Sequence, residues 1–180
     1  MKETLEKEYL EVVDEDNQVV GISGRKEIHK KGLRHRSVHI LIFNSKGDLY
    51  LQKRSPHKDQ YPEHWDTSAA GHTDPGESPM RAAQRELMEE LGLDVPLKEV
   101  LQYPVCQETG WEFVTLFMAR TDEPIHLNLE EATTGNYFSP DQLTQLLADP
   151  LQKIAPGFRL LYSLYQSKYS EKPDHPTKIN

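Results

Sequence analysis

The stretch from Gly71 to Leu93, GHTDPGESPMRAAQRELMEELGL, limits what this chain can fold into more than any other segment. A turn rich in Gly, Pro and Asp leads into a run with helical periodicity. Ser78 is a favourable N-cap, Pro79 suits the first helical position, and Gly92 is a typical left-handed stop. The sequence therefore predicts an amphipathic helix over residues 79–91.

One face of this helix is apolar and the adjoining face is acidic. Residues three and four apart share a face, so the apolar stripe that packs on a sheet is predicted from Met80, Ala83, Leu87 and Leu91. By the same spacing three carboxylates project together from Glu86, Glu89 and Glu90. Crowded carboxylates favour a hard divalent cation, Mg²⁺ or Mn²⁺ rather than Zn²⁺. The alternative interpretation is a solvated acidic face.

The spacing around this helix resembles the Nudix box. The matching positions are Gly71, five residues, Glu77, seven residues, Arg85-Glu86-Leu87, one residue, Glu89-Glu90, one residue, and Gly92-Leu93. The resemblance implies a Nudix hydrolase that holds divalent metal against a diphosphate.

By that resemblance Glu86, Glu89 and Glu90 ligate the metal and the Gly71 carbonyl adds a ligand. It also implies that Arg85 pairs with Glu77 in a clamp that holds the loop on the helix. Without the box, Arg85 would be interpreted as a surface partner of Glu89 four residues on, a contact of a few tenths of a kcal/mol.

Short segments on both sides of the box predict strands and helices. Strand patterns cover 10–13, 18–22, 37–44, 48–54, 65–71, 95–107 and 111–120, and helices are predicted to begin after Ser139 and at Pro156. This order predicts an α/β (α+β) fold, an α/β/α sandwich around a mixed sheet. We expect one domain over residues 1–180, with flexible ends at 1–7 and 170–180.

The composition limits the classes of partner that this protein is expected to bind. The chain has 180 residues, 29 of them acidic and 21 basic, for a net charge of −8. This charge disfavours nucleic acid polymers and anionic membranes, and leaves small phosphorylated substrates. The lone cysteine, Cys106, is predicted to be a small buried residue, and the lack of a long apolar run predicts a cytoplasmic protein. The oligomeric state is left open, with a homodimer as one hypothesis.

Residues 29–93 also resemble one branch of the Nudix superfamily, the isopentenyl diphosphate isomerase-like proteins. The resemblance is carried by Leu33-Arg34-His35-Arg36, Gln52-x-Arg54-Ser55, Trp65 and Gly71-His72. True isomerases of this type have a catalytic cysteine where this chain has Ala70, and they tend to have a degenerate box. An alanine can neither donate nor accept the proton, so the sequence favours hydrolysis.

The same isomerases bind metal through histidines, and His29, His35 and His72 lie at or near the matching places. A second, histidine-based metal site is therefore one hypothesis, and polar loop histidines are the alternative. Beyond the box, Glu130 and Glu131 are candidates for the further glutamate that many relatives carry, and Glu131 is preferred as an accessory metal ligand or base.

Three arginines are candidate phosphate contacts, because a guanidinium fork fits phosphate oxygens. They are Arg34, Arg36 and Arg54. Surface charges are the alternative interpretation.

The predicted reaction is attack of water on a diphosphate linkage in a nucleoside, sugar, dinucleotide or prenyl diphosphate, with Mg²⁺ or Mn²⁺ activating the water. The general base is left open among Glu86, Glu90 and Glu131. The alternatives are an isomerase-like enzyme and a non-catalytic Nudix-fold module that senses a ligand.

Overall fold

A computed structural model describes residues 8–170 and arranges them around a mixed sheet. The strands are β1 (Tyr9–Val13), β2 (Val19–Gly24), β3 (His35–Phe43), β4 (Leu49–Arg54), β5 (Trp65–Asp66), β6 (Ala69–His72), β7 (Lys98–Tyr103), β8 (Glu112–Arg120) and β9 (Ala132–Phe138). The helices are α1 (Arg25–Lys31), α2 (Pro79–Leu91), α3 (Pro140–Ala148) and α4 (Pro156–Ser170). No helix within 8–170 is long and apolar enough to cross a membrane.

The predicted flexible ends fall almost wholly outside this description. Residues 1–7 and 171–180 lie beyond the described part of the chain, while Ser170 is the last residue of α4. That the whole chain forms one domain stays a prediction.

Strand β3 is the centre of a seven-stranded sheet. It pairs in parallel with β8 over its full length, and its other edge is shared by two antiparallel partners. β6 pairs with residues 37–40 of β3, and β4 pairs with Ile42 and Phe43. β1 and β2 form a separate antiparallel hairpin, as predicted.

Two apolar clusters fill the two faces of the sheet, which confirms the predicted sandwich. One cluster joins the sheet to α2 through Ala83, Leu87 and Leu91. The other joins the opposite face to α3 and α4 through Leu143, Phe158 and Leu161. Alternation along a strand explains this arrangement, because successive side chains of β3 point to opposite faces.

Some predictions needed correction. Met80 is 37% exposed and Ala82 is buried in the packing face instead, while Ala83, Leu87 and Leu91 are buried as predicted. Cys106 is only half-buried, because it lies after the end of β7 and directly before a turn, where its backbone N–H donates to the Thr109 hydroxyl. The segment 65–71 forms two short strands rather than one, because Thr67 and Ser68 separate them.

Candidate active site

Helix α2 is positioned by its ends. The Ser78 side chain accepts a hydrogen bond from the Arg81 backbone N–H, and Pro79 occupies the first turn. Gly92 adopts a left-handed φ of 65°, a conformation in which the absence of a Cβ matters, and it ends the helix. The predicted bounds of 79–91 are confirmed.

The loop before α2 is held on the helix by Arg85. Its Nε and Nη2 donate to the two carboxylate oxygens of Glu77 at 3.2 and 2.9 Å, and Nη2 also donates to the His72 carbonyl at 3.0 Å. Hydrogen bonding to Glu77 raises the pKa of Arg85 above its usual range. Burial raises the pKa of Glu77, but the Arg85 hydrogen bonds outweigh it, so the Glu77 pKa lies below its ordinary value.

Arg85 also reaches the acidic face, where Nη1 donates to Glu86 at 2.6 Å and to Glu89 at 3.5 Å. The predicted pair with Glu77 and the alternative pair with Glu89 are thus both present. The Glu77 contact is bidentate and its side chain is 15% exposed, whereas the Glu89 contact is single and long, with a side chain 58% exposed. The geometry makes Glu77 the principal partner.

Glu86 lies directly against Gly71. A Cβ added at Gly71 would stand 2.0 Å from Glu86 Oε1, so any larger residue would displace the carboxylate. Burial raises the pKa of Glu86. The glycine of the box is therefore needed for space, independently of any role of its carbonyl.

The Glu90 side chain is buried rather than directed into solvent, and the residue is 4% exposed. Its Oε2 accepts hydrogen bonds from Gln52 Nε2 at 2.7 Å and from the Ala70 N–H at 3.3 Å. Burial, followed by the charge of Glu86, raises the pKa of Glu90 to about 8.

The three box carboxylates do not converge as closely as the helical spacing predicts. Within the described chain, they do not form a group whose ligand atoms all lie within 4.8 Å of one another. The reason is that their surroundings differ. Glu86 lies against Gly71 and Glu90 bonds to Gln52, whereas the Glu89 side chain is 58% exposed.

Glu131 lies near Glu90. Its charge contributes to raising the pKa of Glu90, which brings the predicted accessory glutamate within electrostatic range of the box. Its carboxylate pairs with Lys58 and its side chain is 35% exposed.

A second cluster gathers the predicted histidines. His29, His35 and His72 have ring centroids 5.0 to 5.3 Å apart. With Glu112 they each offer a ligand atom, and these atoms all lie within 4.8 Å of one another. His35 Nε2 is buried and 3.4 Å from Glu112 Oε1, yet it has no hydrogen-bond partner among residues 8–170. The cluster thus contains a nitrogen free to bind a ligand.

The histidines and carboxylates of this cluster shift one another's pKa values. Burial lowers the pKa of His72, but hydrogen bonds and charges from Glu112 and Glu8 outweigh it and raise that pKa to about 9. Burial raises the pKa of Glu112, while His35 and His72 hold it well below its usual range.

The two clusters lie on opposite faces of β6. Gly71 faces Glu86 on α2, and successive side chains of a strand alternate, so Ala70 and His72 point to the other face. Ala70 pairs with His39 and His72 with Ser37 across the β3–β6 ladder. Position 70, where isomerases have a cysteine, is therefore on the histidine side.

A comparison with family models matches residues 33–159 to the NUDIX domain. This chain belongs to the NUDIX family. It is 36% identical to isopentenyl-diphosphate Delta-isomerase 2 of Photorhabdus laumondii over 78% of this chain and 82% of that one. It is 35% identical to an uncharacterized Nudix hydrolase of Pseudomonas aeruginosa over 72% and 77% of the two chains.

Solved structures agree on the NUDIX fold. A crystal structure from Deinococcus radiodurans superposes with a TM-score of 0.76 at 27% identity, and the match covers 90% of this chain and 99% of that one. The predicted α+β fold around a mixed sheet is confirmed.

The structure assigns two of the predicted phosphate-binding arginines to internal contacts. Arg36 donates to Glu11 at 2.9 Å and to Asn17, and Arg54 donates to Asp66 at 3.0 Å. Their guanidinium groups are therefore partly occupied. The side chain of Arg34 lines a surface cavity of about 310 Å³ beside Trp111, and its phosphate role stays a prediction.

Sequence reasoning missed several residues of these clusters. Glu112 had a usable signal, since it is the one acidic residue of a mostly apolar strand, EFVTLFMAR. Gln52 had a similar one, as a polar residue at a position whose neighbours Tyr50 and Leu51 are buried. Lys58 had none, because a lysine in a polar loop is usually solvated.

Proposed function

We propose that this NUDIX protein is a cytoplasmic enzyme that hydrolyses a diphosphate linkage in a small phosphorylated compound, using Mg²⁺ or Mn²⁺. Family membership supports the hydrolase class and a general need for divalent metal. The observation that carries the proposal for this chain is the acidic face of α2, which Arg85 and Glu77 hold against the Gly71 loop.

The residues present suit a hard divalent cation. Glu86 and Glu90 are neighbouring, largely buried carboxylates, and the charge of Glu86 raises the pKa of Glu90. Such a pair is unfavourable in isolation and is stabilised by a cation. Glu86, Glu89 and Glu90, with the Gly71 carbonyl, are the proposed ligands. When bound, the ion lowers the pKa of water and neutralises phosphoryl oxygens.

Residues of this chain orient the carboxylates and transfer the proton. Arg85 donates to Glu86 at 2.6 Å and Gln52 donates to Glu90 at 2.7 Å, so each carboxylate is held in one orientation. Glu131 is more exposed than either of them, which allows it to pass a proton to solvent. We keep Glu86, Glu90 and Glu131 as the proposed bases, with Glu131 as the accessory one.

A substrate screen tests the proposal directly. Nucleoside, sugar, dinucleotide and prenyl diphosphates are incubated with the full chain and Mg²⁺ or Mn²⁺, and released phosphate and monophosphate are measured. We expect metal-dependent cleavage in at least one class and none in EDTA. Cleavage that persists in EDTA, or no cleavage in any of the four classes, contradicts the proposal.

We expect no isomerase activity on isopentenyl diphosphate. Ala70 lies on the histidine face of β6, where a methyl group can neither give nor take a proton. Incubation in deuterated buffer, followed by NMR, should show no deuterium in the substrate or product. An authentic isomerase treated in parallel is the positive control. Labelled dimethylallyl diphosphate from this chain would overturn the preference for hydrolysis.

We propose a second metal site at His29, His35, His72 and Glu112, a donor set of three nitrogens and one oxygen that suits Zn²⁺ or a similar transition metal. The buried His35 Nε2 without a hydrogen bond supports it.

Removing one ligand of this set should weaken the second site. We expect His72→Ala to weaken Zn²⁺ binding by at least about 100-fold, because losing a ligand costs more than losing an outer partner. Isothermal titration measures the affinity. His57→Ala, at an exposed histidine outside the cluster, is the matched control. Equal affinity in the two variants would leave these residues as an ordinary polar cluster.

A further inference from the structure

Gln52 is a buried amide at a position where an apolar residue would suffice for packing. It lies on β4 and is 4% exposed. Its Nε2 donates to Glu90 at 2.7 Å, whereas its Oε1 is buried and has no hydrogen-bond partner in the described structure. A buried acceptor without a partner has lost its hydrogen bonds to water, which destabilises the folded state. A residue kept only for packing would avoid that cost, so the amide calls for a functional explanation.

The orientation of the amide follows from its partner. When a cation is bound Glu90 is ionised and can only accept hydrogen bonds, so Nε2 is the amide atom that faces it. Glu90 Oε2 then has two donors, Gln52 Nε2 and the Ala70 N–H at 3.3 Å. Glu90 Oε1 is left as the oxygen free to bind a cation.

No other side chain among residues 8–170 donates a hydrogen bond to the Glu90 carboxylate in place of Gln52. Ala70 is the only other donor to Glu90 within residues 8–170, and its 3.3 Å distance makes it the weaker of the two. The Ala70 N–H is moreover part of the backbone and cannot adapt to a rotated side chain. Without the Gln52 amide, the Glu90 carboxylate would be free to rotate about its terminal torsion, which is a broad and soft one.

We propose that Gln52 is a positioning residue of the hydrolase site, which holds Glu90 through Oε2 so that Oε1 of Glu90 faces the divalent cation. This inference rests on the proposed function, because it assumes that Glu90 is a metal ligand. It adds a residue on β4, outside the box, that determines which oxygen of Glu90 on α2 faces the cation.

The test is a double-mutant cycle on Mn²⁺ affinity, which needs no substrate. Free Mn²⁺ is measured by electron paramagnetic resonance for the wild type, Gln52→Met, Glu90→Gln and the double variant. Outer partners of metal ligands are worth about 10- to 100-fold in affinity, so we expect Gln52→Met to weaken binding by that factor. In the Glu90→Gln background the same change should have no further effect, because Gln52 acts through Glu90.

Two controls separate positioning from packing. Leu51→Met changes the adjacent buried side chain on the same strand and should leave Mn²⁺ affinity unchanged. The melting temperature of each variant reports folding. If Gln52→Met does not fold, Gln52→Asn keeps the amide but shortens it by one methylene, and the same loss of affinity is expected.

Each outcome bears on a different claim. Equal Mn²⁺ affinity in the wild type and the Gln52 variants, with Glu90→Gln still weakened, overturns the role of Gln52 and leaves the hydrolase proposal intact. Equal and additive losses in both backgrounds also overturn it, because Gln52 would then act independently of Glu90. If Glu90→Gln binds Mn²⁺ as the wild type does, the proposed metal role of Glu90 fails as well.

Discussion

Glu90→Gln should lower kcat by roughly 10²- to 10⁴-fold, the range typical of losing a group that takes part in proton transfer or charge stabilisation. The amide keeps the size of the side chain but removes the negative charge proposed to bind the cation. Glu89→Gln should also lower the rate by orders of magnitude, because Glu89 is a proposed metal ligand. Monophosphate release at saturating Mg²⁺ measures both. Glu99→Gln, at an exposed acid of β7, is the control.

Glu90→Gln should also stabilise the metal-free protein. The pKa of Glu90 is raised from 4.5 to about 8, so the folded state holds its proton more tightly than the unfolded state does. The wild type therefore loses stability as the pH rises from about 4.5 to about 8, and a glutamine does not titrate. Urea unfolding in EDTA should show Glu90→Gln to be more stable than the wild type at pH 8, with the difference disappearing at pH 4.5.

Full activity in both the Glu89 and Glu90 variants would remove the basis for the metal assignment. A loss of activity accompanied by unfolding would indicate a structural effect instead. The expected gain in stability at pH 8 makes these two outcomes easy to distinguish, because a misfolded variant would be less stable at every pH.

Arg85→Ala should cost about 2 kcal/mol of unfolding free energy, because it leaves two partly buried carboxylates, Glu77 and Glu86, without their cationic partner. It should also lower activity by about 10- to 100-fold through the disturbed orientation of Glu86. Arg85→Lys keeps the charge but cannot form the bidentate contact, so an intermediate loss is expected. Chemical denaturation and steady-state rates measure the two effects.

A pair of double-mutant cycles identifies the partner that matters. Coupling of Arg85 to Glu77 should be about 1–3 kcal/mol, because the contact is bidentate and largely shielded from water. Coupling to Glu89 should be under about 1 kcal/mol, because that side chain is 58% exposed. Coupling confined to Glu89 would mean that Arg85 is a surface residue and that something else holds the loop.

The sequence by itself determined the parts of the molecule that rest on local signals. Ser78, Pro79 and Gly92 set the ends of α2 to the residue, and Ser139 with Gln142 forms the predicted capping box of α3. Caps and turns act over three or four residues, so their signals survive without tertiary context. The pairing of Glu77 with Arg85 was predictable for a different reason, since the resemblance to the Nudix box implies it.

Elements with weak local signals were missed. Helix α1 has a single buried residue, Ile28, and β9 has the sequence ATTGNYF, with little apolar alternation. Both are kept in place by neighbours: β9 pairs with β4, and the end of α1 packs near β1. Such elements form because of tertiary contacts that outweigh their own propensity.

Only the tertiary structure decided which side chains meet. The parallel register of β3 and β8 brings Glu112 beside His35, 77 residues earlier in the chain, and the alternation of β6 places His72 on that face and Gly71 on the other. Gln52 reaches Glu90 because β4 contributes to the sheet face that packs on α2, where Tyr50 joins the apolar cluster. Strand register is set by the packing of the whole sheet rather than by any short segment, so these contacts could not be predicted from the chain alone.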